Sequence, residues 1–412
     1  MATRRIFFSI VSFLLIGKLI GFSKDLFFVN KIGYSRFVDQ HIFVFNYFQW
    51  TVSFFYSVLN MVYVPSLARL KDEIQLKLRL NQLFTFSLCY SLISTLVISL
   101  YLAHTFDYQS TVLSQLILLG GFTILLNISS VYSIYLMSRS NHINSLLEAT
   151  PSAILLFGLI LISPEYTIDL KLIGVCLFLL IGGVFQFFLI RKFSPIGILK
   201  ISDPFKVISE IDPLVVFGVL ALLLMSIVGL IDQSFLLYSE ENELTAFSIA
   251  SKFVGVPLAI TTMALSRMSL PILSADTNKF KLTIVYKLLG LGTIIFCLAY
   301  LLGPIFLDII LCRLNVAFDH NLLTQRAFLA LSFQLIPILA YTFVIQKIYV
   351  IADYKTLFMN GLVFILTKLG VIVLFHTDTI VSVPISSASA YFVSLIHLIL
   401  SLWKRDFPKL LH

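Results

Sequence analysis

The stretch PLVVFGVLALLLMSIVGLID, residues 213–232, decides the class of this protein. It runs without a charge until Asp232. A helix rising about 1.5 Å per residue needs about 20 such residues to cross the roughly 30 Å hydrocarbon layer of a membrane. Twelve stretches of this kind are read along the chain, near 6–23, 41–66, 80–103, 112–137, 145–163, 171–190, 213–238, 246–273, 283–307, 325–346, 356–375 and 380–403. Composition agrees: of 412 residues 59% are hydrophobic and 12% charged, and the mean hydropathy is +0.98. The charged share is about half that of a soluble domain. So few polar residues cannot coat a water-facing surface, and lipid is the solvent that fits. The expectation is a polytopic all-α membrane protein with twelve transmembrane helices, and not a soluble enzyme.

Loop charges give an orientation. With the N-terminus in the cytoplasm, the inner segments carry 19 Lys and Arg, while the outer ones carry only Lys24, Lys31, Arg36, Lys171 and Arg313. Basic residues favour cytoplasmic loops, so both termini are expected inside, in a bacterial cytoplasmic (inner) membrane. The same scatter of short basic loops explains the net charge of +8 without nucleic acid as a partner. Arg4 and Arg5 before an apolar stretch could open a cleaved signal peptide, but Lys18 interrupts the stretch and no small-x-small site follows, so it reads as helix 1.

Several chemistries have no support. Cys89, Cys176, Cys297 and Cys312 lie far apart and form no metal spacing. The seven histidines show no ligand pair, and no GxxxxGK[ST] loop exists for ATP-driven pumping. Metal and cofactor are therefore expected to be none, with coupling left to the membrane potential or an ion gradient.

The chain reads as two copies of one six-helix unit. Pro65 closes helix 2 and Pro271 closes helix 8, 206 residues apart; Asp25 ends helix 1 and Asp232 lies in helix 7, 207 apart; half the chain is 206. An even helix count per unit makes parallel repeats about an axis along the membrane normal, with a site expected between them. The expected organisation is an N-terminal lobe 1–198, a charged cytoplasmic linker 199–212 and a C-terminal lobe 213–412.

A charge in mid-membrane costs about 2.5–3.5 kcal/mol on insertion scales, so each one asks for a reason. Lys18 and Asp25 share a face of helix 1, being nearly two turns apart. Lys18, Lys252 and Lys368 lie too deep to snorkel, which implies a wet, anion-attracting cavity or buried partners. Glu148, Arg267 and Arg326 lie near span ends and read as structural. The Glu240-Glu241-Glu243 cluster reads as a solvated turn. Lys368 and Asp232 either pair with each other, closing in one state of a carrier, or Lys368 faces the cavity alone.

The opening of the chain, Gly17-Lys18-Leu19-Ile20-Gly21-Phe22-Ser23-Lys24-Asp25, then Gly33, Asp39 and Val64-Pro65, resembles the MurJ (MviN) lipid II flippases of the MOP superfamily. Ser251-Lys252, Val256-Pro257 and Leu270-Pro271 resemble that family's helix 7–8 region. The resemblance implies a two-lobed, alternating-access carrier whose basic residues hold a diphosphate. It places Lys18, Lys24, Asp25 and Lys252 at the substrate and Asp39 at the opening of helix 2. Lysine supplies a point charge where arginine would supply a fork. The family's basic residue in helix 2 falls on Val52, and twelve spans suit the Wzx-type exporters of the same superfamily better than the usual fourteen of MurJ. Relatives also hold a cation in the second lobe, where a lysine ammonium could stand instead.

The function expected is a flippase for an undecaprenyl-diphosphate-linked glycan, lipid II or a surface-polysaccharide unit, working among membrane lipid and glycan-assembly enzymes. A MATE-like small-molecule antiporter is the second reading, although those favour acidic cavities. A membrane-embedded polysaccharide polymerase is the third, although the outer loops are short and no paired carboxylates face a site.

Overall fold

The computed structural model describes residues 2–70, 72–139, 143–209, 213–275, 280–314, 316–375 and 378–406. Lys71, Glu210, Asp212, Lys279 and Lys409, counted above among the inner charges or the linker, lie outside them, as do the side chains of Arg4, Arg5, Pro65, Val256, Pro257, Arg267, Leu270 and Pro271. The described residues form two compact units, 1–212 and 213–412. The stretch 199–212, expected as a charged cytoplasmic linker, groups with the first.

The first unit contains α1 (Ala2–Ile32), α2 (Arg36–Arg69), α3 (Glu73–Thr105), α4 (Ser110–Ser138), α5 (Asn144–Leu147), α6 (Thr150–Leu161), α7 (Ile168–Phe193) and the short α8 (Phe205–Ser209). The second contains α9 (Pro213–Leu237), α10 (Glu243–Ala275), α11 (Leu282–Arg313), α12 (Phe318–Ser332), α13 (Leu335–Val350), α14 (Tyr354–Leu374) and α15 (Thr379–Asp406). Eight of these helices are long and apolar enough to cross a membrane singly, and α12 with α13, bent by 42°, makes a ninth span. The remaining three expected spans fall on α1, on α10 and on the broken pair α5–α6. Each of the twelve expected spans thus has a helix among the described residues, in a multi-pass membrane protein.

Packing inside the units has the same plan. In the first, α4 packs on α2, α3 and α7, α6 packs on α7, and α1 packs on α6. In the second, the bent α12–α13 packs on α10, α11 and α15, α14 packs on α15, and α9 packs on α14. Each helix of one plan has its counterpart about half the chain later: α10 begins 207 residues after α2, α11 209 after α3 and α15 211 after α7. The repeat read from two prolines and two aspartates is thus a repeat of helix pairing.

Between helices in lipid there is no hydrophobic gain, so close packing and polar contacts hold them. The first core joins Leu59, Tyr63 and Leu67 of α2 to Leu80 and Leu83 of α3, Val131 and Ile134 of α4 and Ile190 of α7. Leu199 and Val207 complete it from the supposed linker. That segment is also tied by hydrogen bonds: Tyr63 Oη donates to the Val207 carbonyl at 3.0 Å, the Lys200 amide to Asn81 at 2.8 Å and the Ser202 amide to Thr85 at 2.9 Å. In the second unit Gly292 of α11 meets the break between α12 and α13. A Cβ there would stand 2.5 Å from the Ile336 carbonyl oxygen, so only glycine admits this approach. Gly33, with φ of 86°, turns the chain from α1 into α2.

Basic residues gather in the last turns of α2 (Arg69), α7 (Arg191, Lys192), α13 (Lys347) and α15 (Lys404, Arg405), where they also complement the helix dipole. Lys347, one of the 19 basic residues counted in the inner segments, is buried, with its ammonium 5.8 Å from the centre of the Phe280 ring. Ile74 and Ile201 are 80% and 79% exposed at the same end of the first unit. In a background without the exposed Cys89, Cys297 and Cys312, Ile74→Cys and Ile201→Cys should both react with an impermeant maleimide only from the cytoplasmic side. Labelling of either from outside overturns the inward orientation.

Candidate functional site

Two polar constellations stand out, one in each unit. The first is built on α1 and α2. Ser35 caps α2, its hydroxyl accepting from the Val38 amide at 3.3 Å. Asp39 sits in that first turn, where the positive end of the helix favours a carboxylate, and is buried. One turn into α2, buried His41 lies 2.9 Å through Nδ1 from Gln115 of α4 and stacks between Phe28 and Phe45. On α1, Lys24 pairs with its neighbour Asp25 at 2.9 Å, and its ammonium also lies 5.8 Å from the centre of the Phe45 ring. Both side chains keep some exposure, so the pair is accessible to a ligand.

Lys18 is exposed nearly two turns earlier on α1, within electrostatic range of Glu148. Glu148 was read above as a structural end-of-span charge. The structure gives it more: its Oε1 accepts from Tyr56 Oη at 2.8 Å and from Asn144 Nδ2 at 3.3 Å. The sequence could have shown this only by pairing α2 with the α5 region, which periodicity does not do. Val52, at the family's basic position, is buried and apolar.

The second constellation lies inside the second unit. Lys368 of α14 is fully buried, and its Nζ stands 2.6 Å from Asp232 Oδ1 of α9. Ser387 of α15 hydrogen-bonds the same ammonium. Three helices therefore meet on one charge. Nearby, Asn360 of α14 donates to Tyr341 at 3.1 Å, and His397 of α15 lies 3.3 Å from its oxygen. An uncompensated charge here would cost several kcal/mol, so removing either partner of the pair strands the other at that cost. Lys368 is thereby separated from Lys18 and Lys252: it is bound to Asp232, while Lys252 of α10 is exposed. The two repeat-related aspartates are thus satisfied differently, Asp25 by its neighbour on the same helix and Asp232 by a lysine from another.

Among the described residues no three His, Cys, Asp or Glu side chains cluster as metal ligands. The acidic turn after α9 departs from its reading as a solvated loop. Asn242, with φ of 72°, leads into α10, and Glu243 in the first turn is buried, 4% exposed. Arg326 pairs with Asp378 instead of merely snorkelling.

Comparisons were made with known proteins. No protein-family model and no curated protein matches the chain. Solved structures do. The lipid II flippase MurJ in an inward closed conformation superposes with a TM-score of 0.81 at 17% identity, over 96% of this chain and 87% of that one. An inward-facing multidrug resistance MATE family transporter of the MOP superfamily gives 0.69 at 14% identity, over 94% of each chain. A variant of the Vibrio cholerae MATE transporter VcmN gives 0.66 at 13% identity, over 98% and 97%. The chain therefore has the all-helical fold of these solved carriers.

Proposed function

We propose that this protein is a flippase that carries an undecaprenyl-diphosphate-linked glycan across the bacterial cytoplasmic membrane by alternating access. The observation that carries the reading is the basic character of the accessible charges on α1 and α10, Lys18, Lys24 and Lys252, on a fold that superposes on MurJ at a TM-score of 0.81. A diphosphate is recognised by charge-assisted hydrogen bonds, which lysine supplies as a point charge. In this reading Lys24 exchanges Asp25 for a phosphate oxygen, so it begins and ends the cycle with a partner, which limits the desolvation cost of binding. The glycan is lipid II or a surface-polysaccharide unit. A MATE-like antiporter for cationic drugs is disfavoured, because its cargo would meet ammonium groups of like sign.

The ion pair of the second unit takes the place of a coupling cation. Lys368 holds three helices together as a bound cation would, with the charge fixed to the chain. We assign it a gating role, closed in one state of the carrier and strained or opened in the other.

Two experiments test these readings. In reconstituted vesicles, Lys18→Ala, Lys24→Ala and Lys252→Ala should each weaken undecaprenyl diphosphate binding about tenfold, the low end for a charged hydrogen bond, with normal membrane levels. Lys24→Arg should be tolerated. Full binding and transport by the triple Ala variant rules the anion reading out.

For the gate, Asp232→Asn and Lys368→Met should each cost about 3–5 kcal/mol of stability by stranding a charge, and the double variant less than either. Simple additivity of thermal stabilities and transport rates excludes the coupled pair. Transport should also proceed in potassium medium without sodium, and a strict sodium requirement removes the lysine from the cation's role.

A further inference from the structure

The second unit contains a cavity that plays no part in the anion reading. It measures about 760 Å³ and lies where the end of α9, the first turn of α10, α12 and the start of α15 meet. The loop-charge count expects this end on the outer side. Its volume falls in the roughly 300–1,000 Å³ range of small-ligand sites.

Its chemistry is mixed in a specific way. Glu243 is 4% exposed and still lines the cavity. Ser239 and Thr379 both donate to its Oε2, which fixes the carboxylate and leaves lone pairs on Oε1. In the same lining Arg326 and Asp378 form an exposed ion pair, a donor fork beside an acceptor. Phe235 and Tyr238, three residues apart at the end of α9, add ring surfaces that are 37% and 71% exposed.

We propose that this cavity binds a neutral pyranose, a sugar of the transported glycan at the outer end of the second unit. The proposal rests on the carrier reading above. A pyranose offers vicinal hydroxyls, each both donor and acceptor, and an apolar face of C–H groups. Glu243 and Asp378 accept from hydroxyls, Arg326 donates to hydroxyl or ring oxygens, and the exposed Tyr238 and Phe235 rings cover the C–H face. An inorganic cation fits less well. Asp378 is already matched by Arg326 and Glu243 by two hydroxyl donors. An acidic sugar is repelled, because Glu240, Glu243 and Asp378 outnumber Arg326.

Saturation-transfer NMR on the purified full chain in nanodiscs tests this. The probes are glucose, galactose, N-acetylglucosamine and rhamnose, with glucuronate as the charged control. At least one neutral pyranose should show transfer to its ring protons, and glucuronate should show none. Glu243→Gln and Tyr238→Ala should each reduce the signal by about threefold or more, since each removes a charged acceptor or a ring platform. Tyr238 is 71% exposed, so its variant tests binding without disturbing the fold. The same preparations are assayed for undecaprenyl diphosphate, whose binding these two variants should leave unchanged. Diphosphate binding with no pyranose binding overturns the cavity proposal and leaves the carrier reading standing. Pyranose binding without diphosphate binding does the reverse, and binding of neither overturns both. Equal transfer to glucuronate, or unaltered transfer in both variants, also overturns the proposal.

Discussion

Hydrocarbon cannot hydrogen-bond, and that constraint governs the whole molecule. Every backbone amide inside the membrane must find its partner within its own segment or a neighbour. The described residues between loops are accordingly helical, and the ends are finished locally: Ser35 on α2, Asp72 on α3 and Asp353 on α14 each accept from an amide of the first turn. Side-chain hydroxyls follow the same rule. Ser91, Ser129, Ser130, Thr324 and Ser332 each donate to the carbonyl one turn earlier on their own helix. Such residues stay small and internally satisfied, so neighbouring helices can approach closely.

Charges obey a stricter form of the same constraint, and this turns the fold into a candidate machine. Asp232 and Lys368 lie 136 residues apart and become neighbours only because α9 packs on α14. Their contact is a direct consequence of the repeat plan, since α1 packs on α6 in the same manner in the first unit. The first unit has no lysine on α6 to meet Asp25, and Lys24 meets it instead. One architecture thus carries a buried ion pair between two helices in one half and a partly exposed ion pair within one helix in the other.

The corrections share a physical cause. Glu148, Arg326 and Glu243 all lie near helix ends, where sequence reasoning assigns a charge to water by default. Each has a partner supplied by a different segment: Tyr56 for Glu148, Asp378 for Arg326, Thr379 for Glu243. The linker is the same case. Its charges mark it out in the sequence, and its Leu199 and Val207 bury in the core that α2 and α3 share. A short apolar residue among charges is weak as a pattern and decisive once a hydrophobic surface lies beside it.

The sequence by itself determined that this chain lives in lipid, that it crosses twelve times and that it repeats after half its length. Those properties are local: they depend on apolar length, on loop charge and on the spacing of a few prolines and aspartates. It also singled out Lys18, Lys24, Asp25, Lys252, Asp232 and Lys368, because an ionisable side chain in an apolar run is costly wherever the chain folds. Which of them pair was decided only by the tertiary structure. Pairing depends on which helix faces lie together, and twelve uniformly apolar helices carry almost no periodic signal to fix their faces. The outer cavity of the second unit belongs to the same class of fact. Its walls come from four helices spread over residues 234–379, and only their meeting makes Glu243, Arg326 and Tyr238 parts of one surface.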